Sequence, residues 1–345
     1  MTSIALQDTL MFAEAAESAD AVERQVAANA GLMRTLAQRL RSQPPRGVIT
    51  YARGSSDSAA TFAKYVIETR AGILTTSAAP SVASLYGSAL DAHGLIAMAI
   101  SQSGRSPDIL AAVAAAKEAG ALTLALVNAR GSPLEQLSDV VVALHAGNER
   151  SVAATKSYIA SLAAVLHLAA EWSEDRDLLE AVYGAPALLR EAWSSGWSPL
   201  VRSLKDARGL YVIGRGPGLA IAQEGALKLK ETCRLHAEAF SAAEVRHGPM
   251  ALVGPDFPVL VFRQSDESAE GVEELVRDVV DHGGPVFIVG GTVAGATALP
   301  VPRAHELIEP MLQIAPLYRA ACELAIARGL DPDRPPHLKK VTETI

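Results

Sequence analysis

Short apolar segments that alternate with helical segments predict an α/β protein with two tandem domains. Segments such as "LIAMAI" at 95–100 and "PVLVF" at 258–262 have the length and composition of buried strands. Strands separated by helices are typical of parallel sheets that carry helices on both faces. Aromatic residues make up only 5% of the chain, so we expect a core of Ala, Val, Leu and Ile.

Two pairs of similar segments predict an internal duplication. "ITYARGSS" at 49–56 resembles "YVIGRGPG" at 211–218, and "SQSGRSPD" at 101–108 resembles "RQSDESAE" at 263–270. Both pairs lie 162 residues apart. Because two independent matches share one offset, we expect two similar doubly wound, mostly parallel sheets flanked by helices.

The remaining segments complete the predicted domain order. Residues 1–44 have helical periodicity and no strand pattern, so they form a helical lead-in. The first α/β domain is expected at 45–190 and the second at 191–330. The tail at 331–345 is rich in proline and polar residues, so it is expected to be irregular, either a loose end or a segment folded over the active site.

Composition excludes several classes of protein. The net charge of −7 is spread along the chain without a basic face, which argues against a nucleic-acid-binding protein. Cys233 and Cys322 are too few for a disulfide framework and are expected to be buried thiols. The apolar segment at 158–172 is too short to span a bilayer, and no signal peptide is apparent, so we expect a cytoplasmic protein.

The segment after the strand at 95–100 predicts an anion site. Ser101, Gln102, Ser103 and Ser106 supply neutral donors, and Ser106 is expected to cap a helix that begins at Pro107. The start of a helix attracts phosphate. The second copy has Asp266 and Glu267 at the matching positions, which would repel phosphate. Only the first copy is therefore expected to bind phosphate, although a plain helix cap explains the pattern too.

Two further glycine-containing turns are less specific. "ARGSSDSA" at 52–59 offers Ser56 to the same ligand, or serves only as a helix start. "GRGPG" at 214–218 suggests a dinucleotide site, but Leu219 stands where the third glycine is expected.

The segment at 224–250 is dense in groups that transfer protons. Glu224, Lys228 and Glu231 share one helix face, which fits either a site or ordinary surface ion pairs. His236, Glu238, Glu244 and His247 follow among small residues, a pattern that we expect in a packed site. "HAE" at 236–238 lacks the cysteine motif of zinc deaminases, so no metal is expected. Lys340 could form a Schiff base with a sugar carbonyl, or belong to a solvated tail.

Together these segments resemble the SIS (sugar isomerase) family, and within it the isomerase half of the glutamine–fructose-6-phosphate aminotransferases. The resemblance rests on five segments, at 101–108, 147–158, 214–231, 236–252 and 331–340. It implies two SIS domains, a homodimer, no cofactor, and a hexose or hexosamine 6-phosphate as substrate.

The resemblance also implies roles for individual residues. The phosphate is expected to bind at Ser56, Ser101, Gln102, Ser103 and Ser106, and Val152 provides a backbone contact to the sugar. Glu231 resembles the base that moves a proton between C1 and C2, with Lys228 as its neighbour. His247 resembles a ring-opening histidine supplied by the partner subunit, and Lys340 resembles the lysine that binds the open-chain carbonyl. Arg105 stands where the aminotransferases have Glu, and its role stays open.

The expected reaction is the deamination of glucosamine 6-phosphate to fructose 6-phosphate and ammonia. This expectation follows from the short segment before the first domain, which contains no cysteine nucleophile for glutamine, and from a tail similar to that of SIS-type deaminases. Alternatives are a related enzyme acting on galactosamine 6-phosphate or a fructosamine phosphate, a fructose-6-phosphate aminotransferase, and a sensor that binds a sugar phosphate without turnover.

Overall fold

The computed structural model describes residues 4–88 and 90–340, which form two compact units. Among the described residues, the N-repeat unit contains residues 20–149 and 156–183 together with Lys339 and Lys340. The C-repeat unit contains residues up to Ala19, residues 150–155 and residues 184–338. Each unit is thus assembled from separate stretches of the chain. The predicted domain boundaries at 44, 190 and 330 stay predictions.

The N-repeat unit contains a parallel sheet of five strands in the order β2-β1-β3-β4-β5. Its central strands are almost wholly buried, as expected for a sheet covered on both faces. In the register of β1 and β3, Gly47 lies opposite Leu95 and Tyr51 opposite Ala99. The strands are β1 (Gly47–Tyr51), β2 (Thr75–Ser77), β3 (Leu95–Ser101), β4 (Leu122–Val127) and β5 (Val140–Ala143).

The C-repeat unit contains a second parallel sheet with the same topology, in the order β10-β9-β8-β6-β7. Counted from the first strand of each repeat, both orders read 2-1-3-4-5. The predicted α/β fold with two doubly wound sheets is therefore confirmed. The strands are β6 (Gly209–Gly214), β7 (His236–Ser241), β8 (Val259–Phe262), β9 (Val286–Val289) and β10 (Thr297–Leu299).

The duplication extends to single backbone angles. Gly54 precedes the helix after β1 with φ 58° and ψ −132°, and Gly216 precedes the helix after β6 with φ 55° and ψ −134°. These two glycines are the pair on which the offset of 162 residues was recognised. A positive φ of this kind strains any residue with a side chain, so both copies need glycine at this turn.

Helices pack on the sheets, and two helices, α1 and α2, precede the first strand. The apolar segment at 158–172 lies in α7, which is buried along nearly its whole length. Within the described residues, no helix has the length and hydropathy that a membrane span requires. The helices are α1 (Leu10–Ala16), α2 (Ser18–Ser42), α3 (Ser55–Arg70), α4 (Ser81–Ser84), α5 (Pro107–Glu118), α6 (Pro133–Leu137), α7 (Lys156–Ser173), α8 (Arg176–Trp193), α9 (Ser198–Leu204), α10 (Pro217–Cys233), α11 (Ala269–Asp281) and α12 (Glu309–Ala327).

The last described residues hold the first helix of the chain within the C-repeat unit. The Asp333 carboxylate accepts hydrogen bonds from the backbone N–H groups of Leu10 (2.6 Å) and Met11 (2.8 Å) at the start of α1. The predicted irregular tail is consistent with residues 331–340, which contain no helix or strand. The rest of the predicted tail, residues 341–345, lies outside the described residues.

Candidate active site

The serine loop, defined as residues 101–106, lies at the carboxyl edge of the first sheet. It connects β3 to α5, and Ser56 lies in the first turn of α3, which follows β1. Strands β1 and β3 are neighbours, and the strand order reverses between them. Doubly wound sheets bind ligands in the crevice outside this reversal. The predicted phosphate-binding residues of this unit therefore share the edge where such folds bind their ligands.

The shape of the serine loop depends on one glycine. The Ser101 Oγ accepts a hydrogen bond of 3.0 Å from the Gly104 N–H and so closes the turn. Gly104 has φ +62°, and a Cβ on it would lie 2.4 Å from the Ser132 Oγ. No larger residue fits there without moving its neighbours.

Several polar groups of the serine loop are left for a ligand. Ser106 occupies the N-cap position of α5, as predicted, although its side chain makes no capping hydrogen bond. Among the described residues, the side chains of Gln102 and Ser106 have no hydrogen-bond partner. Unpaired donors beside a helix start suit an anion that brings its own acceptors. Arg105 is exposed, and its side chain has no described partner.

An ion pair fixes the two loops of this crevice to each other. Arg53, which follows β1, donates to the buried Asp108 at the start of α5 through its Nε (2.9 Å) and Nη2 (2.8 Å). The paired geometry holds the turn containing Ser56 beside the serine loop. Burial raises the pKa of the neighbouring Asp57 carboxyl, and the positive charge of Arg53 partly opposes this.

Lys340 reaches a buried carboxylate of the N-repeat unit. Its Nζ lies 3.2 Å from the Oε2 of Glu149, which is 3% exposed. The same carboxylate accepts hydrogen bonds from the backbone N–H (3.1 Å) and the Oγ (2.6 Å) of Ser157. The lysine side chain is 24% exposed, so its amine is held in place but stays accessible.

The α10 cluster, defined as Glu224, Lys228, Glu231 and Tyr318, lies in the C-repeat unit. The buried Lys228 Nζ lies 2.5 Å from the Glu231 Oε2 and 3.6 Å from the Glu224 Oε1. Tyr318 on α12 donates a hydrogen bond of 3.0 Å to Glu224. Lys228 and Glu224 are fully buried, whereas the Glu231 side chain is 18% exposed. The cluster therefore presents one accessible carboxylate, held in place by a buried ammonium group.

The neighbouring histidines and acids do not form the expected packed site. His236, Glu238, Glu244 and His247 are all exposed, because β7 is an edge strand and His247 ends a short 3₁₀ helix at Val245–His247. The prediction that these four side chains pack together is therefore wrong within a single chain. Among the described residues, the His247 side chain has no hydrogen-bond partner.

Val152 lies in a short loop that the lead-in helix holds. The Glu14 carboxylate on α1 accepts hydrogen bonds from the backbone N–H groups of Arg150 (2.6 Å) and Ser151 (3.0 Å). The backbone immediately before Val152 is thereby held by a residue far away in sequence.

Glu149, Tyr318 and Glu14 were not predicted as site residues. Glu149 lies inside a segment on which the family resemblance rests, so its acidic side chain was a usable signal. Tyr318 and Glu14 lie in ordinary helical patterns, and only the folded chain shows what they contact.

Comparison with models of protein families shows to which family the chain belongs. The model of the SIS domain matches residues 43–171 and again residues 203–297. The chain belongs to the SIS domain family. The first match contains β1–β5, and the second contains β6–β9 and ends at the first residue of β10, so each sheet is the centre of one SIS domain.

Members with similar sequences include sugar-phosphate enzymes. The glutamine–fructose-6-phosphate aminotransferase of Leifsonia xyli is 36% identical over 269 residues, which cover 72% of this SIS protein and 44% of that enzyme. The SIS chain thus spans about half the length of this relative.

Solved structures of similar fold extend along almost the whole chain. A Silicibacter pomeroyi protein provisionally described as a phosphosugar isomerase is 40% identical, with a TM-score of 0.90 over 94% of this chain and 100% of its own. The C-terminal domain of the Francisella tularensis glucosamine-fructose-6-phosphate aminotransferase is 25% identical, with a TM-score of 0.86 over 95% and 98%.

Proposed function

We propose that this SIS protein converts glucosamine 6-phosphate to fructose 6-phosphate and ammonia. The observation that carries the proposal is the α10 cluster, in which the accessible Glu231 carboxylate is held by the buried Lys228. A carboxylate with one fixed orientation is suited to move a proton between adjacent carbon atoms. The names of the similar aminotransferases and isomerases support a hexose or hexosamine phosphate as substrate.

In this proposal the substrate phosphate binds at the serine loop. The unpaired side chains of Gln102 and Ser106 donate to its oxygens, together with Ser101, Ser103 and Ser56. The backbone at Val152, which follows the residues held by Glu14, contacts the sugar hydroxyls. The start of α5 adds a favourable dipole for the dianion.

The reaction then proceeds on the open-chain sugar. His247 of the partner subunit in a homodimer transfers the proton that opens the pyranose ring, leaving an aldehyde at C1. Glu231 removes the C2 proton and returns it to C1, which converts the C2 amine to an imine. Water adds to the imine and ammonia leaves, giving the C2 ketone of fructose 6-phosphate. Alternatively, the Lys340 amine adds to the C2 imine and expels ammonia, and water then hydrolyses the resulting lysine imine to release the ketone and the free amine.

The two cysteines of this chain are not suited to release ammonia from glutamine. Release of ammonia from glutamine by a cysteine enzyme needs an accessible thiolate. Cys233 and Cys322 are both buried. Burial raises the pKa of the Cys233 thiol to about 11, and it raises that of the Cys322 thiol still further.

The experiment is turnover of glucosamine 6-phosphate by the purified protein, with ammonia and fructose 6-phosphate measured together. The two products should form in equal amounts, and Glu231→Gln should lower the rate by at least about a hundredfold. Glu238→Gln, which removes an exposed carboxylate on β7, serves as the matched control and should leave the rate unchanged.

The same assay separates the alternatives. Galactosamine 6-phosphate and a fructosamine phosphate are tested as substrates, and fructose 6-phosphate is tested with ammonia and with glutamine. Turnover of another amine without ammonia release from glucosamine 6-phosphate would reject the proposed substrate. Tight binding of the sugar phosphate with no turnover of any of them would identify a sensor.

A further inference from the structure

The second SIS domain contains the counterpart of the serine loop, and a carboxylate of the chain already binds there. The counterpart loop, defined as residues 263–268, follows β8 and precedes α11. Ser265, which matches Ser103, donates to Glu309 through its backbone N–H (2.7 Å) and its Oγ (2.9 Å). These are donors of the kind that the serine loop leaves unpaired. Glu309 begins α12 and is 7% exposed.

A cavity adjoins this contact at the carboxyl edge of the second sheet. Its volume is about 840 Å³, within the range of small-molecule sites. Arg263, Ser265, Gly290, Arg303 and Glu309 contribute to its walls. The counterpart loop therefore retains both the space for a sugar and serine donors for an anion.

We propose that the second SIS domain is a phosphosugar site closed from within, in which the Glu309 carboxylate takes the place of the substrate phosphate. A tethered carboxylate competes at an effective concentration on the order of millimolar or more, so a free phosphosugar at ordinary concentration does not displace it. Burial raises the pKa of the Glu309 carboxyl, and its hydrogen bonds to Ser265 partly oppose this. Each chain then binds one phosphosugar.

The charged residues of the counterpart loop also disfavour binding of a free phosphate. Asp266 stands at the position of Gly104, and its carboxylate accepts hydrogen bonds from the N–H and Oγ of Ser268. Arg263 is already engaged by Glu273 (2.8 Å) and by the carbonyl of Gly290 (3.1 Å). Unlike Gly104, Asp266 has no positive φ, so this loop also differs locally in shape. Removal of Glu309 therefore frees the Ser265 donors for an added anion, and removal of Asp266 as well takes a further negative charge out of the loop.

The test counts the phosphosugars that one chain binds. Glucitol 6-phosphate, which has no carbonyl group and cannot react, is titrated calorimetrically into the wild type and into the double variant Glu309→Ala/Asp266→Gly. The wild type should bind one equivalent per chain and the double variant two. Glu267→Gln removes an exposed acid of the same loop, makes no described contact with Ser265, and should stay at one.

Glu309→Gln keeps the length of the side chain and serves if the double variant does not fold. It should bind inorganic phosphate at least tenfold more tightly than the wild type. No added equivalent in a folded double variant, or unchanged phosphate affinity in Glu309→Gln, overturns the inference. The inference depends on the proposed function in one respect, namely that the serine loop binds the substrate phosphate. A wild type that binds no phosphosugar would contradict that role, whereas a gain of one equivalent by the double variant would still support the second site.

Discussion

At the scale of single residues, the buried Lys228 should be important for stability as well as for chemistry. Both Lys228 and Glu224 are fully buried, so removal of the ammonium group leaves a carboxylate without its counter-charge. We expect Lys228→Met to lower the free energy of unfolding by about 3–5 kcal/mol, measured by urea denaturation. Lys230→Met, at an exposed position of the same helix, should change it little. Equal stabilities of the two variants would contradict this view of the cluster.

His167 should make the fold sensitive to acid. It is fully buried in α7, and neither ring nitrogen has a hydrogen-bond partner among the described residues. Burial lowers the pKa of His167 from 6.5 to about 4, and the charge of Arg34 contributes. The unfolded chain takes up the proton first as the pH falls. Stability is therefore lost between pH 6.5 and about 4, by about 3 kcal/mol in total.

The measurement is urea unfolding at pH 7 and at pH 4. His167→Leu cannot take up this proton, so it should lose about 3 kcal/mol less than the wild type between the two pH values. His236→Leu, which replaces an exposed histidine, should behave like the wild type. An unchanged pH dependence in His167→Leu would show that this residue does not cause the acid sensitivity.

At the scale of elements, Gly104 determines the shape of the serine loop. Gly104→Ala places a Cβ against Ser132 at a positive φ, whereas Gly131→Ala has a similar φ of +65° with open space around it. Backbone strain alone costs about 1–2 kcal/mol, and the contact with Ser132 should add about 1–3 kcal/mol. Gly104→Ala should therefore be the less stable variant in urea denaturation. It should also bind glucitol 6-phosphate at least tenfold more weakly, and equal affinities would contradict the proposed phosphate site.

The central strands, the apolar edge strand β5 and the serine loop could be predicted from sequence, but the edge strands β2, β7 and β10 could not. Strands such as β3 and β8 are buried on both faces, so their apolar runs are conspicuous. Edge strands β2 and β7 contain polar residues, because each has a neighbouring strand on one side only and is partly exposed to solvent. The polar residues of β7, "HAEAFS", therefore predict a packed site rather than a strand. Glu224 and Lys340 contact Tyr318 and Glu149, which are remote from them in sequence, and contacts of this kind follow only from the complete fold.

At the scale of the whole molecule, the chain contains two SIS domains whose loops after the third strand differ. The two sheets share their strand order, and Gly54 and Gly216 share their backbone angles. The loops differ, because the serine loop leaves polar groups unpaired and the counterpart loop binds Glu309. The first copy therefore retains unpaired polar groups in its serine loop, and the second copy contains the α10 cluster.

The central claim is that Glu231 moves a proton between C1 and C2 of a phosphosugar. Its most direct test is proton nuclear magnetic resonance of fructose 6-phosphate incubated with the protein in D₂O, because exchange at C1 reports this step without involving an amine. The wild type should replace a C1 proton with deuterium, and Glu231→Gln should not, although it still binds glucitol 6-phosphate normally. Exchange at the wild-type rate in Glu231→Gln, or none in the wild type despite binding, would contradict the account.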